Sequence, residues 1–221
     1  MTVPSAFRGA MRLPAIAAPM FLVSGPTLVA ETCKAGVAGT FPALNARTPD
    51  ELDAWLGTLN ADLAAARTAD PAAAVAPYGI NLILHASNPR VAPDLELICK
   101  HKVPFVITSL GQPGEVVKAV HAYGGLVFSD VIHAYHARKA AAAGVDGIIA
   151  VASGAGGHAG TQNAFSLVRE IREFWNGTLI MFAIGFCAAS RSLSVFSSAA
   201  GASAGFEENS LIAAVSRRLG A

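Results

Sequence analysis

Val145-Asp146-Gly147-Ile148-Ile149-Ala150-Val151-Ala152-Ser153-Gly154-Ala155-Gly156-Gly157-His158-Ala159-Gly160-Thr161 is the stretch whose reading decides the fold. Its first half is an apolar run interrupted only by Asp146 and Gly147. Its second half is a glycine-dense turn around one histidine, and a helix-like segment begins near Phe165. Strand, tight loop and helix in that order make a parallel βα unit. Glycines at this density permit positive φ and bring backbone N–H groups close to a ligand, at the junction where anionic cofactors sit. The loop lacks the Gly-Lys-Ser/Thr of an NTPase phosphate loop and the spacing of the dinucleotide fingerprint. His158 is the one side chain in it able to move a proton near neutral pH.

Upstream, the same unit repeats. Strand starts near Ile80, Pro104, Leu126 and Ile148 recur at a pitch of 22 to 24 residues, and each gap holds a helix pattern with a Gly or Pro stop. Ala-Gly-Val-x-Gly turns a helix into a buried strand at Ala35 to Gly39 and again at Ala143 to Gly147. Earlier still, Ala15 to Ala18 reads as a short strand closed by Pro19, Gly25-Pro26 opens a helix ending near Lys34, and Val37 to Phe41 is the next strand. Thr48-Pro49-Asp50-Glu51 starts a long helix with acids at its positive end, running to about Arg67. Strands are expected over Tyr78 to Leu84, Val103 to Thr108, Leu126 to Ser129 and Leu179 to Phe182, and helices over Pro93 to Lys100, Gly114 to Tyr123 and Ala134 to Ala143. The strands are continuous apolar runs, as parallel strands buried on both faces are. The pattern alone leaves a barrel and a doubly wound sheet both open.

Four pieces in register carry a resemblance: Leu13-Pro14-Ala15-Ile16-Ala17-Ala18-Pro19-Met20, Gly79-Ile80-Asn81-Leu82, Ala137-Arg138-Lys139-Ala140 with Ala143-Gly144-Val145-Asp146-Gly147, and Gly154-Ala155-Gly156-Gly157-His158-Ala159-Gly160. Over roughly residues 10 to 180 the chain resembles the nitronate monooxygenase family, formerly called 2-nitropropane dioxygenases. The resemblance implies an α/β fold of the (β/α)8 TIM-barrel type. It also implies bound FMN and the oxidation of alkyl nitronates with O2 to a carbonyl compound and nitrite.

A barrel places its chemistry at the C-terminal ends of its strands, where Met20, Asn81, Asp130 and His158 fall. From the residues, Met20 is equally a core filler; the resemblance sets it against the flavin. Asn81 sits among Ile80, Leu82 and Ile83, so its amide needs partners, structural or cofactor-borne; the resemblance makes it a flavin ligand. Asp130 reads as the cap of the helix that starts near His133, with a cofactor contact as the alternative. Gly156 and Gly157 would bring backbone to the cofactor. The resemblance makes His158 the catalytic residue, holding or deprotonating the substrate beside the flavin. A nitronate is an anion that already lacks its α-proton, so loss of His158 should weigh more on neutral nitroalkanes. His133 and His136, at i and i+3, have no third ligand at metal spacing and read as solvent-facing or helix-packing residues, while Arg138 and Lys139 read as solvated charges on an ordinary helix surface.

Beyond Phe182 the family pattern stops. Gly185 could supply one amide to a phosphate and Arg191 a charge, but no further strand ending in Gly-Thr follows. Residues 1–182 are therefore expected to form the FMN-dependent barrel domain, incomplete at about seven strands. Residues 183–221 form a divergent tail, part of the same domain or poorly ordered, with a short amphipathic helix over Glu207 to Leu219.

Composition bounds the alternatives. A chain of 221 residues that is 53% hydrophobic can bury a large core, and a net charge of +1 without a basic block disfavours nucleic acid or an anionic membrane as partner. Leu13 to Ala30 is free of charge but is broken by Pro14, Pro19, Gly25 and Pro26, so it reads as strand and loop rather than signal or membrane span. Cys33, Cys99 and Cys187 are scattered, which suits a reduced cytoplasmic protein without a metal site. The partners expected are a small nitronate and O2, with a homo-oligomer allowed. Two other functions stay open: a flavin-dependent NAD(P)H reductase of a quinone or enoyl thioester, and an inactive, flavin-free barrel fragment.

Overall fold

The computed structural model describes residue 4, residues 7–156 and residues 160–182. Among the described residues six strands form one parallel sheet: β1 (Gly39–Pro42), β2 (Tyr78–Ile83), β3 (Phe105–Ser109), β4 (Leu126–Val131), β5 (Gly147–Val151) and β6 (Thr178–Phe182). Helices separate them: α1 (Pro26–Lys34) precedes β1, α2 (Pro49–Ala69) follows it, and α3 (Val91–Lys100), α4 (Gly114–His121), α5 (Ala134–Ala142) and α6 (Ala164–Arg172) fill the later gaps. Spatial order equals chain order from β1 to β6. A doubly wound sheet reverses its order at a switch point; an unbroken sequential order is that of a (β/α) barrel.

The strand expected at Ala15 to Ala18 shrinks to a single parallel bridge, Ile16 to Ala38, flanked by Ala17 N to Ala38 O at 2.8 Å and Ala38 N to Ala15 O at 3.2 Å. Pro14 and Pro19 bracket this segment and remove ladder donors on both sides. The bridge adds a seventh position ahead of β1, so the fold is a (β/α)8-type barrel, incomplete among the described residues. The tail over residues 183–221, with Gly185, Cys187, Arg191 and the helix expected at Glu207 to Leu219, lies outside the described residues.

Helix starts follow local chemistry. Thr48 caps α2, its hydroxyl accepting from Glu51 N at 3.1 Å, while the Glu51 carboxylate reaches back to Arg47 N at 2.6 Å. Asn163 caps α6 in the same way, accepting from Phe165 N at 2.9 Å.

Alternation along each strand separates two cores. Ile80, Leu82, Val106, Val127, Ile148 and Ala150 pack outward under the helices with Leu52, Leu56, Leu59 and Leu63 of α2. Phe105, Ile107, Phe128, Ile149 and Val151 point to the other face, the barrel interior, where Phe7 joins them. Three rings fill the N-terminal half of that interior. Phe7 meets Phe105 edge-on at 5.3 Å between centroids and stacks on Phe128 at 5.8 Å, and Phe105 and Phe128 are 5.6 Å apart. Glycine on the neighbouring strand makes the room. A Cβ on Gly79 would lie 2.2 Å from the Phe105 ring, and one on Gly147 would lie 2.6 Å from the Phe128 ring.

On the outer layer, α5 departs from the expectation of an ordinary solvated helix surface. Ala137 and Ala140 are buried, because only a methyl group lets this helix approach the sheet so closely. Arg138 and Lys139 are exposed, as expected of solvated charges, with Arg138 over the Phe174 ring at 3.9 Å and Lys139 over Tyr135 at 4.5 Å. Cys33 and Cys99 are free thiols. Burial pushes the Cys33 thiol up to about 11, despite Gly39 N donating to its sulfur. Among the described residues no helix is long and apolar enough to cross a membrane.

Gly79→Ala should cost about 1–3 kcal/mol in denaturant unfolding, the penalty for overfilling a packed interior. Phe105→Leu added to it should recover part of that loss.

Candidate functional site

The strand register determines which side chains reach the barrel mouth. Ile83 of β2 pairs with Ser109 of β3, and Asp130 of β4 pairs with Ile149 of β5. Asn81, Ser109 and Asp130 share the parity of the interior residues and stand toward the C-terminal ends of three consecutive strands. They form one chain of hydrogen bonds. Asn81 Nδ2 donates to Ile107 O at 3.2 Å and to Ser109 Oγ at 2.6 Å, and Ser109 Oγ donates to Asp130 Oδ2 at 2.6 Å.

Asp130 is therefore not the cap of the following helix. It lies within β4, and His133, the residue at the start of α5, makes no side-chain capping bond. Period-two alternation continues through Phe128 to Asp130, which turns the carboxyl to the interior and away from the α5 amides. Burial pushes the Asp130 carboxyl up to about 6, with the Ser109 hydroxyl pulling the other way.

Met20 lies in the loop after the Ile16 bridge, half-buried. That loop is held by Asn45, which belongs to no motif in the sequence. Asn45 Nδ2 donates to Met20 O at 2.9 Å and Ser24 O at 2.8 Å, and Asn45 Oδ1 accepts from Leu22 N at 3.0 Å. Met20 N completes the turn by donating to Ser24 Oγ at 3.0 Å. Leu22 is forced to a φ of 62° and stands 75% exposed. Ser109 likewise belongs to no motif, yet it carries a signal: a hydroxyl at i+2 and i+4 from Ile107 and Phe105, at the end of a barrel strand.

Only the two ends of the glycine loop after β5 are described. Gly154 has a φ of 89°, Gly156 is half-buried, and Ser153 N donates to Gln162 O at 2.8 Å across the base. Gly160 packs against the strand end, where a Cβ would lie 2.6 Å from Val151 O and 3.1 Å from Ile132 O. Gly157 and His158 lie outside the described residues. The structure therefore joins Asn81 to Asp130 through Ser109, with Met20 and Gly156 on loops at the same end of the sheet.

Beside this chain, the loops after β1, β2 and β3 enclose a shallow cavity of about 400 Å³. Leu44, Ile83, Pro89 and Leu110 give it apolar walls, with His85 and Arg90 at its polar side. Arg90 is committed to the scaffold: Nε and Nη2 bond Asp94 Oδ1, and Nη1 bonds Ala46 O. Phe21, Leu22, Leu110 and Ile132 on the βα loops of this end, with Tyr135 in the first turn of α5, are exposed apolar residues. The His133 and His136 rings stack at 3.8 Å, and burial together with His133 and Lys139 lowers the His136 pKa. No group of three or more metal-ligating side chains occurs among the described residues.

A family model described as nitronate monooxygenase matches residues 8–205. A nitronate monooxygenase of Neurospora crassa is 33% identical over 182 residues, covering 72% of this chain and 48% of its own. An octahydro-1H-indene-4-carboxyl-CoA dehydrogenase of Mycobacterium tuberculosis is 29% identical over 165 residues, covering 75% of this chain and 42% of its own. The chain thus spans less than half the length of these two relatives. Among solved structures, FabK from Thermotoga maritima aligns with a TM-score of 0.66 at 27% identity, over 77% of this chain and 50% of that one. Nitroalkane oxidase from Streptomyces ansochromogenes aligns at 0.68 and 23% identity, over 80% and 60%, a likeness of fold.

The direction of the Asp130 shift gives a pH prediction. An acid whose folded pKa is raised destabilises the fold once it ionises. The penalty grows from about pH 4, where the unfolded chain loses this proton, to about pH 6, where the folded chain does, and stays constant above. Asp130→Asn keeps an acceptor for Ser109, so it should raise unfolding stability at pH 8 by about 1–3 kcal/mol and give no gain below pH 4.

Proposed function

Because the chain belongs to the nitronate monooxygenase family, we propose that it binds FMN at the mouth of its barrel and oxidises alkyl nitronates with O2 to a carbonyl compound and nitrite. The observation that carries this reading is the convergence of Asn81, Ser109 and Asp130 at the C-terminal end of the sheet, where barrels place their chemistry, within the matched segment.

The described residues suit a flat, partly polar ring. Asn81 offers a carbonyl oxygen without a partner among the described residues, and Met20 offers a polarizable side chain on the adjoining loop. Gly156 and Gly157 would let backbone approach the cofactor, and Gly185 would give one amide to its phosphate. His158 would hold the nitronate anion by a hydrogen bond, and would take a proton only from a neutral nitroalkane. The apolar walls at Leu44, Ile83 and Leu110 would receive the alkyl part of the substrate. FMN, when bound, supplies the electron acceptor; the chain supplies position and electrostatics. Residues 1–182 form the FMN-dependent unit in this reading, with the tail from residue 183 appended to it.

The test is the visible spectrum of the purified chain with and without added FMN, followed by anaerobic addition of a nitronate. Retained flavin that bleaches is the expected result, and His158→Ala should then lower turnover of nitroalkanes by a larger factor than turnover of nitronates. Bleaching by NAD(P)H and not by nitronate would assign the reductase reading instead. A colourless protein that retains no FMN would overturn both in favour of a flavin-free fragment.

A further inference from the structure

We propose that Ser109 and Asp130 are positioning residues that lock the Asn81 amide with both N–H bonds turned into the sheet and its carbonyl oxygen turned to the barrel interior, so that this position takes an imide or amide N–H donor from its ligand. The identity of that ligand as a flavin rests on the reading above; the lock itself does not.

The direction of the hydrogen-bond chain is set at its acid end. A carboxylate only accepts hydrogen bonds, so the single Ser109 proton goes to Asp130 Oδ2, 2.6 Å away. With its proton committed, the Ser109 oxygen can only accept from Asn81, and only Nδ2 can donate to it, at 2.6 Å. The second amide hydrogen goes to Ile107 O at 3.2 Å. Turning the amide over would set Oδ1 against a carbonyl oxygen and against a hydroxyl whose proton is already used, two contacts between acceptors. The orientation is thereby dictated by chemistry three strands wide. Asn81 Oδ1 has no partner among the described residues and is not sealed away, for the one enclosed, unpartnered side-chain atom among them is Asp94 Oδ2. Ile80 and Leu82 pack outward, so Asn81 faces the interior.

No other charge among the described residues competes for Asp130. β3 and β5 carry none. On α4, Glu115 and Lys118 pair with each other at 2.9 Å in solvent, and His121 pairs with Asp146. On α5, Arg138 lies on Phe174 and Lys139 on Tyr135, while His133 and His136 stack together on the first turn. Burial raises Asp130 to about 6, so within an accessible pH range the carboxyl gains a proton, becomes able to donate, and no longer fixes the direction of the chain.

The experiment follows the Asn81 side-chain amide by 15N–1H NMR in the full chain without added ligand, against the Asp130 carboxyl by 13C. The two Asn81 amide signals should move with the Asp130 midpoint, near pH 6. They should stay flat in Asp130→Asn, which keeps an acceptor but cannot titrate, and in Ser109→Ala; Ser109→Thr, which keeps the hydroxyl, should restore the movement. Asn81 signals that ignore the Asp130 titration in the parent chain would overturn the lock, whatever the chain does with flavin. In parallel, FMN and its 3-methyl derivative, which lacks the ring N–H, are compared by fluorescence titration. Methylation should weaken binding about tenfold in the parent chain and much less in Ser109→Ala. Equal binding of the two in the parent would overturn the donor preference. If FMN fails to bind while the amide tracks Asp130, the flavin reading falls and the lock stands.

Discussion

The mouth of this barrel depends on the Phe105 ring lying where Gly79 has no side chain. That contact fixes β3 against β2 in height, because a shift by one residue would reverse which face every later side chain occupies. Gly147 and Phe128 repeat the device between β4 and β5, and Phe7 closes over both rings. With the lower interior packed this way, the residues two and four places further along each strand rise to the open end. Asn81, Ser109 and Asp130 are in bonding range of one another because the rings below set their register.

This explains what the sequence made legible and what it hid. The strand and helix cadence was readable because each apolar run is buried on both faces and each helix ends at Gly or Pro; β2 through β6 fall where the pattern places them, within a few residues. Asn81 was readable as an amide in an apolar run. Ser109 was hidden, since a serine at a strand end looks like ordinary turn chemistry until the neighbouring strand brings an amide to one side and a carboxyl to the other. Asp130 resembles a helix cap for a related reason: an Asp shortly before a helix has two uses, and only the strand's parity decides between them. Asn45 carried no local signal, because its partners Met20, Leu22 and Ser24 lie more than twenty residues away in the chain. The burial of Ala137 and Ala140 is hidden because small residues are silent about it, and the short strand expected at Ala15 to Ala18 reduces to one bridge because the flanking prolines are missing donors as well as ends.

Electrostatically the described site is sparse. Asp130 is its one interior carboxyl, and the Arg90 guanidinium at the cavity edge is satisfied by Asp94 and Ala46 O. A ligand held at this end as proposed would meet directional hydrogen bonds and apolar contact more than opposed charges, which suits a planar molecule with a polar edge.

The three-ring plug sets the side of approach. With Phe7, Phe105 and Phe128 filling the lower interior, the described strands are closed to a molecule approaching from their N-terminal ends. In the function proposed, cofactor and substrate would then both enter from the side of the βα loops, the later one passing over or beside the earlier.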